Sequence, residues 1–336
     1  MSLVPFLHLV TSGKSLSAAQ AHEAMTVILN GSASEPLMAG FLVALRMKGE
    51  TAQELAGFAR AMREKAVAVE AGQNLVDIVG TGGDGAGTFN ISTVTAFVLA
   101  GAGLHVAKHG NRAISGKVGS ADVLEALGVR IAMTPEEAVQ AIREIGLGFL
   151  FAPHLHPAMK YAQPVRRELK MRTVFNLLGP LSNPAKAQYQ VIGAPSPNAA
   201  RLMAEALSEL GTVHSYVVHG QDGLDEVSTT SATDVYEVWS GRLEKHVWSP
   251  EDFGVTKAGL DALVGGDAAD NAQITTRILQ GEHGSRRDIV LVNSAAGLMA
   301  AGICDSHADA MVRASASIDS GNALQVLKKL QSKYPA

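Results

Sequence analysis

Hydrophobic side chains in the first 70 residues recur with the spacing of an α-helix. Capping motifs introduce three such stretches, at 17–20, 34–36 and 51–54, and each is followed by apolar residues that share one helical face. Glycine follows the first two stretches, at a position where helices commonly end. The pattern predicts three short helices, which we assign to a helical subdomain of residues 1–70.

From Leu75 onwards the pattern changes to short apolar runs that alternate with helical periods. Such alternation is typical of crossover units on a mostly parallel sheet. We therefore expect an α/β fold in which residues 71–336 form the larger domain, with a mostly parallel central sheet and helices on both faces. The strand-like runs lie at 75–79, 104–107, 129–133, 149–151, 191–193 and 216–218.

Three further segments complete this outline. Residues 233–239 have the composition of an added edge strand, and residues 286–301 carry the clearest helical period in the last part of the chain. The segment 157–185 is rich in proline and arginine and interrupts the alternation. We expect part of it to pass back to the helical subdomain.

Composition narrows the possible classes of function. The chain has 336 residues, of which 47% are apolar, and a formal net charge of -4. A full core is therefore available, but no global basic field exists to hold nucleic acid or an anionic membrane. A single cysteine, Cys304, excludes an intramolecular disulfide and fits a reducing compartment. Because the N-terminal stretch also lacks the pattern of a signal peptide, we expect a cytoplasmic enzyme.

A glycine-rich loop follows the first apolar run. Residues 80–85 read GTGGDG, and Asn90, Ser92 and Thr93 open the helical segment behind them. Glycines let the backbone approach a ligand closely, and a helix start adds unpaired N–H groups and a partial positive charge. This combination predicts a phosphate site.

Two other functions of glycine loops do not fit the surrounding residues. The segment 80–85 matches a dinucleotide fingerprint, but that site needs an acidic residue about 20 positions further on to hold the ribose. This chain instead has the basic sequence KHGNR at 108–112. A Walker loop needs Gly-Lys-Ser/Thr after the glycines, and these residues are missing. The basic, glycine-containing segment 108–117 is predicted to be a loop that neutralises phosphate.

Carboxylate, arginine and histidine side chains supply the remaining candidate chemistry. Asp225 and Glu226 follow an apolar strand, where adjacent carboxylates can bind Mg²⁺ beside a diphosphate; without such a ligand they would form a hydrated acidic turn. Arg166 is a candidate clamp for a substrate carboxylate. No third transition-metal ligand accompanies His154 and His156, so we expect these histidines to line an aromatic substrate pocket.

Together these motifs resemble the anthranilate phosphoribosyltransferase family. The resemblance implies transfer of the 5-phosphoribosyl group from 5-phosphoribosyl 1-diphosphate to the amine of anthranilate, a step of tryptophan biosynthesis. It also implies a fold shared with pyrimidine nucleoside phosphorylases, Mg²⁺ as cofactor with two ions, and a homodimer formed through the helical subdomains. The motifs are GTGGD at 80–84, NIST at 90–93, KHGNR at 108–112, GSADVLEALG at 119–128, HPAMK at 156–160, FNLLGPLSNP at 175–184 and the pair Asp225-Glu226.

The resemblance also implies roles for individual residues. The expected catalytic residues are Asp84, Lys108 and Arg166. The expected metal ligands are Ser92, Asp225 and Glu226, and anthranilate is expected at Gly80, Asn111 and Arg166. The residues expected to bind 5-phosphoribosyl 1-diphosphate are Gly80, Gly83, Asp84, Thr88, Asn90, Ile91, Ser92, Thr93, Lys108, His109, Gly110, Asn111, Arg112, Ala113, Ile114, Ser115, Gly116 and Ser120. Gly116 stands where many members of the family have a second serine.

Two other functions remain open on the sequence. A pyrimidine nucleoside phosphorylase of the same fold would use phosphate and a nucleoside rather than the diphosphate donor and anthranilate. A non-catalytic relative that binds nucleic acid would need a basic face and altered donor motifs, whereas GTGGD, KHGNR and the acidic pair are intact here and the net charge is negative. Binding to DNA that weakens strongly with salt would favour this last reading.

Overall fold

The computed structural model describes residues 2–113 and 118–336. Its first part is helical, and the three predicted helices are confirmed, with a complete capping box at the start of α2 and of α4. One more helix precedes them. It escaped prediction because its apolar residues are almost continuous and no side chain caps its start. The four helices are α1 (Val4–Thr11), α2 (Ala18–Leu29), α3 (Glu35–Lys48) and α4 (Ala52–Lys65).

Seven strands of the described chain form one sheet, in the order β3-β2-β1-β4-β5-β6-β7. The first five strands are parallel, and β6 and β7 are antiparallel to their neighbours. The predicted mostly parallel sheet is confirmed. The strands are β1 (Leu75–Gly80), β2 (His105–Gly110), β3 (Leu147–Phe151), β4 (Tyr189–Gly193), β5 (His214–Gly220), β6 (Thr233–Trp239) and β7 (Arg242–Trp248).

Helices cover both faces of this sheet. In addition to three short 3₁₀ turns, the described residues form α5 (Ile91–Gly101), α6 (Ser120–Ala126), α7 (Pro135–Ile145), α8 (Ala152–Leu155), α9 (Gln163–Leu169), α10 (Phe175–Leu181), α11 (Pro197–Leu210), α12 (Ala268–Leu279), α13 (Ser285–Ala300), α14 (His307–Asp319) and α15 (Asn322–Lys333). None of the helices that these residues form combines the length and apolar character needed to cross a membrane.

Alternate side chains of the strands point into two separate cores. In β4, Val191 belongs to the core that also contains α5 and α13, whereas Ile192 belongs to the core formed with α11 and the first four helices. The second core also includes residues of α9 and α10, such as Val165 and Phe175. Part of the segment 157–185 therefore packs with the N-terminal helices.

Two predictions about strands are wrong. The apolar run 129–133 forms only a single bridge, between Val129 and Pro335, because its side chains fill the core beside the sheet while its backbone meets the C-terminal segment. The strand at 233–239 exists, but it is not the edge, since β7 pairs with it on the outside. The mostly exposed, polar residues of β7 hid that strand from a search for apolar runs.

The strand order reverses between β1 and β4. The chain leaves β1 towards β2 on one side, whereas β4 lies on the other side. Ligands of such sheets bind outside the carboxyl ends of the strands at this switch point. Here those ends are Gly80 and Gly193, which are paired in the sheet.

Candidate active site

The glycine loop begins where β1 ends, at the switch point. Gly82, Gly83 and Gly85 adopt left-handed φ angles of 69°, 74° and 79°, a conformation that glycine tolerates far better than other residues. A Cβ on Gly80 would lie 2.5 Å from a carboxylate oxygen of Asp225. Glycine at this position therefore allows a carboxylate from another loop to reach the end of β1.

A segment near residue 264 holds the far end of this loop. The N–H of Phe89 donates to the carbonyl oxygen of Leu263 at 3.0 Å, and the N–H of Gly265 donates to that of Gly87 at 2.9 Å. Thr88 forms an isolated bridge with Val264. No motif in the sequence signalled this partner, because the pairing joins positions about 175 residues apart through backbone atoms alone.

Helix α5 starts immediately behind the loop without a capping side chain. The amide nitrogen of Asn90 donates to the carbonyl oxygen of Val118 at 3.2 Å rather than capping the helix. Its Oδ1 atom and the Oγ1 atom of Thr93 are buried without a hydrogen-bond partner among the described residues. Ile91 contributes backbone only, since its side chain lies in the core. The N–H groups of Ile91 and Thr93 already donate to the carbonyl oxygens of Phe89 and Asn90, so an anion here would meet the unpaired polar side-chain atoms and the partial positive charge of the helix start.

Lys108, His109 and Gly110 lie in strand β2, so the prediction that the basic segment is a loop from Lys108 onwards is wrong. These residues continue the parallel pairing with β3, which takes their backbone into the sheet. The buried Lys108 ammonium donates to the carbonyl oxygen of Ile78 at 2.7 Å and to Oγ of Ser92 at 3.3 Å. Burial lowers its pKa to about 8, although Asp77 and Glu226 oppose this change.

Asp77 is a buried carboxylate that the sequence analysis did not select. It accepts hydrogen bonds from the amide nitrogen of Asn183 at 2.7 Å and from the N–H of His109 at 3.2 Å. Burial raises its pKa to about 6, and Lys108 is the largest opposing influence. A charged residue inside the apolar run 75–79 was a signal that could have revealed it. Asp77 links β1, β2 and the segment after α10.

Asp225 and Glu226 meet the glycine loop, as their place after β5 predicted. The N–H of Gly82 donates to Oδ2 of Asp225 at 2.7 Å. Removal from water raises the pKa of Asp225, and the neighbouring Asp84 raises it further. The pKa of Glu226 is also raised well above its usual range by removal from water and by Asp225, whereas Lys108 and the N–H of Ser92 favour its charged form.

This carboxylate group fits Mg²⁺. Asp84 is close enough to raise the pKa of both Asp225 and Glu226, and Asp225 raises that of Glu226, so a cation between these carboxyls would relieve the repulsion. No cluster of three or more Asp, Glu, His or Cys side chains arranged as a complete metal site occurs in the described residues. Mg²⁺ usually takes one or two protein carboxylates and completes its shell with water and substrate phosphates.

Of the residues that follow β2, the structure describes 111–113 but not the next four. Arg112 is not available to phosphate in this structure, since its guanidinium binds Asp122 at 2.9 Å and Glu125 at 2.6 Å on α6. The carbonyl oxygen of Asn111 accepts a hydrogen bond from Oγ of Ser120 at 3.3 Å, and Ala113 lies exposed beside them. The predicted site residues Ile114, Ser115 and Gly116, with Lys117, lie outside the described residues.

His109 and His156 are brought together from distant parts of the sequence. Their ring centroids lie 5.1 Å apart, and the Nε2 atom of each is buried without a partner among the described residues. Burial lowers the pKa of His109 to about 3 and that of His156 to about 4. Both rings are therefore neutral at pH 7, and His154 does not join them but packs against Phe151.

We expect this pair to weaken the fold in acid. Each histidine must bind a proton on unfolding below its ordinary pKa of 6.5, whereas the folded ring resists protonation. The contribution of the two rings to the free energy of unfolding should therefore be complete above pH 6.5. Below that pH it should fall by about 1.4 kcal/mol per pH unit for each ring towards pH 4. Urea denaturation at pH 7 and pH 5 measures this change. Between the two pH values, the free energy of unfolding should decrease less in His156→Gln than in the parent. The exposed His8→Gln variant should match the parent.

Two arginines of the segment 157–185 bear on the site. Arg166 stands 5.1 Å from the ring centroid of Phe175, and partial burial lowers its pKa without any carboxylate among the described residues opposing the shift. Arg172, which the sequence analysis missed, donates to the carbonyl oxygens of Gly82 and Gly83 at 3.1 and 3.0 Å. This segment therefore touches the glycine loop, and its Arg166 has no carboxylate counter-charge among the described residues.

The fold and the site together define a glycosyl transferase built from a helical bundle and an α/β domain. Models of the glycosyl transferase family match both parts, the helical bundle domain at residues 4–66 and the a/b domain at residues 72–324. At 56% identity, covering 98% of each chain, the sequence is similar to an anthranilate phosphoribosyltransferase of Solibacter usitatus. The chain belongs to the anthranilate phosphoribosyltransferase family.

Solved structures show the same fold over the whole chain. An anthranilate phosphoribosyltransferase from Thermus thermophilus is 44% identical, with a TM-score of 0.92 over 97% of this chain and 98% of its own. The enzyme of that name from Saccharomyces cerevisiae, in complex with PRPP and Mg, is 28% identical, with a TM-score of 0.90 over 98% of this chain and 97% of its own. The family and fold predicted from the sequence are confirmed.

Proposed function

We propose that this chain transfers the 5-phosphoribosyl group from 5-phosphoribosyl 1-diphosphate to the amine of anthranilate, which releases pyrophosphate and gives N-(5-phosphoribosyl)anthranilate. One observation carries the proposal: a glycine loop and the uncapped start of α5 meet the pair Asp225 and Glu226 at the switch point of the sheet. Such an arrangement can hold both an anion and its metal counter-ion. Relatives of high identity carry the name of this activity.

Mg²⁺ is the cofactor, and we propose that two ions bind. Ser92, Asp225 and Glu226 would hold them, with Asp84 close by. When bound, Mg²⁺ neutralises charge that develops on the leaving pyrophosphate. The number of ions follows from the charge of a sugar diphosphate beside several carboxylates, which one divalent ion does not balance.

The remaining residues of the donor site would bind and orient the 5-phosphoribosyl 1-diphosphate. We propose that Gly83, Thr88, Asn90, Thr93 and the backbone of Ile91 hold the phosphate groups and the ribose. Lys108 lies between Ser92 and Glu226 and would stabilise negative charge at the leaving group. Gly110, Asn111, Ala113 and Ser120 would border the bound donor. Arg112 would join them only after leaving its partners on α6.

The nucleophile needs little help from the protein. The aryl amine of anthranilate is uncharged at pH 7, so no strong base is required, and the neutral rings of His109 and His156 agree with that. Loss of pyrophosphate places positive charge on the ribose ring, as in other glycosyl transfers. Catalysis would then rest on positioning and on the fixed charges around the leaving group. Gly80 lies where the two substrates would meet.

We also propose the wider organisation implied by the family. Residues 1–70, with part of 157–185, would form the helical subdomain, and residues 71–336 the α/β domain. Two copies would associate through their helical subdomains. The protein would work in the cytoplasm as an enzyme of tryptophan biosynthesis.

The loss of anthranilate fluorescence tests this function directly. We expect the signal to fall when the protein, Mg²⁺ and 5-phosphoribosyl 1-diphosphate are combined with anthranilate, and to stay constant without the donor. Turnover of a pyrimidine nucleoside with phosphate, in place of this reaction, would identify a nucleoside phosphorylase. Binding to DNA without any turnover would identify the non-catalytic alternative.

We expect Arg166→Ala to weaken anthranilate binding. The guanidinium lies partly buried with no carboxylate partner in the part of the chain that the structure describes, and a charge-assisted contact to the substrate carboxylate is worth roughly 1.5–3 kcal/mol. The KM for anthranilate should rise about 10- to 150-fold, while the KM for the donor changes little. The exposed neighbour Arg167→Ala is the matched control. Unchanged anthranilate kinetics in Arg166→Ala would remove this residue from the site.

A further inference from the structure

The residues between β5 and β6, 221–232, form what we call the carboxylate loop, because they carry Asp225 and Glu226. Two of the three proposed metal ligands are thus on a loop rather than on a strand or helix. Ligands on loops are held less firmly than ligands on regular elements unless other groups fix them. Two of the polar side chains that hold this loop from outside the proposed ligand set bind on either side of Asp225 and Glu226.

Asn293 of α13 holds the loop by its backbone. Its side chain is completely buried. Oδ1 accepts a hydrogen bond from the N–H of Val227 at 2.9 Å, and Nδ2 donates to the carbonyl oxygen of Val227 and to that of Ile289, each at 2.9 Å. Both hydrogens of the amide are used, so the side chain has one orientation. The residue it grips directly follows Glu226.

Asp222 fastens the same loop at its start. Its carboxylate accepts hydrogen bonds from Oγ of Ser228 at 2.6 Å, from Oγ1 of Thr230, and from the N–H of Leu224 at 3.2 Å. These bonds join the two sides of the turn that contains Asp225 and Glu226. Asp222 itself is exposed, so its carboxylate serves the loop and not the core.

The remaining side of the loop is held by the glycine loop and β4. A Cβ on Gly193 would lie 1.6 Å from the carbonyl oxygen of Asp225, so only glycine there permits the approach. The N–H of Gly82, in the glycine loop, donates to the carboxylate of Asp225. These contacts fix Asp225, whereas Asn293 fixes the backbone directly after Glu226 and Asp222 joins the two sides of the turn.

We propose that Asn293 and Asp222 are positioning residues that hold Asp225 and Glu226 in the geometry for a metal ion. This inference rests on the proposed function of the pair. Groups that orient metal ligands from outside the ligand set typically affect metal affinity about 10- to 100-fold. Neither residue belongs to the proposed substrate-binding set, so the effect should be on the metal and not on anthranilate.

Binding of Mn²⁺ in the presence of 5-phosphoribosyl 1-diphosphate, without anthranilate, tests the inference. Mn²⁺ prefers the same oxygen ligands as Mg²⁺, and its electron paramagnetic resonance signal falls on binding. We expect the dissociation constant of Mn²⁺ to rise about 10- to 100-fold in Asn293→Ala and in Asp222→Asn. The control is Ser294→Ala, a buried neighbour whose hydroxyl bonds only to its own helix; it should bind Mn²⁺ as the parent does.

The outcomes separate the inference from the function on which it rests. If Asn293→Ala and Asp222→Asn bind Mn²⁺ as tightly as Ser294→Ala, the positioning role is wrong while the metal pair stands. If Asn293→Ala does not fold, Asp222→Asn decides alone, because its side chain is exposed. If the parent binds no Mn²⁺, or if binding survives Asp225→Asn with Glu226→Gln, the metal pair is wrong and the inference fails with it.

Discussion

Replacing Asp225 with Asn and Glu226 with Gln in one variant is expected to abolish Mg²⁺-dependent turnover. The two carboxylates are the proposed metal ligands, and charge stabilisation by a bound metal contributes several kcal/mol to such reactions. A loss of about 4 kcal/mol corresponds to roughly a thousandfold lower kcat/KM. The measurement is the loss of anthranilate fluorescence over a range of Mg²⁺ concentrations. Full activity with ordinary Mg²⁺ dependence would refute the metal assignment.

The same double variant is expected to lose activity without losing thermal stability. The raised pKa values of Asp225 and Glu226 mean that the metal-free fold disfavours their charged forms. Neutral amides avoid the cost of burying these charges and the repulsion between them. The metal-free variant should therefore melt at or above the temperature of the parent near pH 8. A lower melting temperature would point to loss of the fold as the cause of inactivity. Asp305→Asn, an exposed carboxylate away from the site, should change neither quantity.

Lys108→Met is expected to lose both activity and stability. The ammonium group is buried between the carbonyl oxygen of Ile78 and the hydroxyl of Ser92, and it compensates Asp77 and Glu226. Removing one fixed donor from a charge-stabilising site typically lowers kcat about 10²- to 10³-fold. Leaving a buried carboxylate without its partner costs about 3–5 kcal/mol of unfolding free energy. Turnover assays and urea denaturation measure the two effects.

Lys48→Met provides the matched control. Lys48 is another buried lysine, and its ammonium lies 2.9 Å from the buried carboxylate of Glu54 in the helical part of the chain. Its loss should destabilise the protein by a similar mechanism but leave the kinetics of the folded enzyme unchanged. If Lys108→Met is destabilised and otherwise behaves like Lys48→Met, the lysine has a structural role only.

Much of the site was predictable because its residues are close in sequence. The glycine loop, Asn90, Ser92 and Thr93 follow one strand without interruption, and local spacing alone placed them at a helix start. Asp225 and Glu226 follow another strand of the same sheet. Since parallel strands bring their carboxyl ends to one edge, the two groups reach the same edge of the sheet, although β4 lies between β1 and β5.

Other features depended on partners that no local pattern announces. Lys108 and His109 looked like residues of an exposed basic loop, but pairing with β3 buries them, and burial then changes their pKa values. Arg112 resembled a phosphate ligand, yet α6 supplies two carboxylates that occupy it. Asn293 carried no signal, because a single polar residue in an apolar helix does not reveal which backbone it will bind.

The sequence by itself determined the family and the helical and α/β parts, and it supplied the candidate residues of the donor site. These follow from periodicity, glycine conformation and the order of motifs, all of which are local properties of the chain. Only the tertiary structure decided which charges are buried, which cations are already paired and which groups contact the loop that carries Asp225 and Glu226. Those properties arise from contacts between residues that are far apart in sequence, and their energies depend on the exclusion of water.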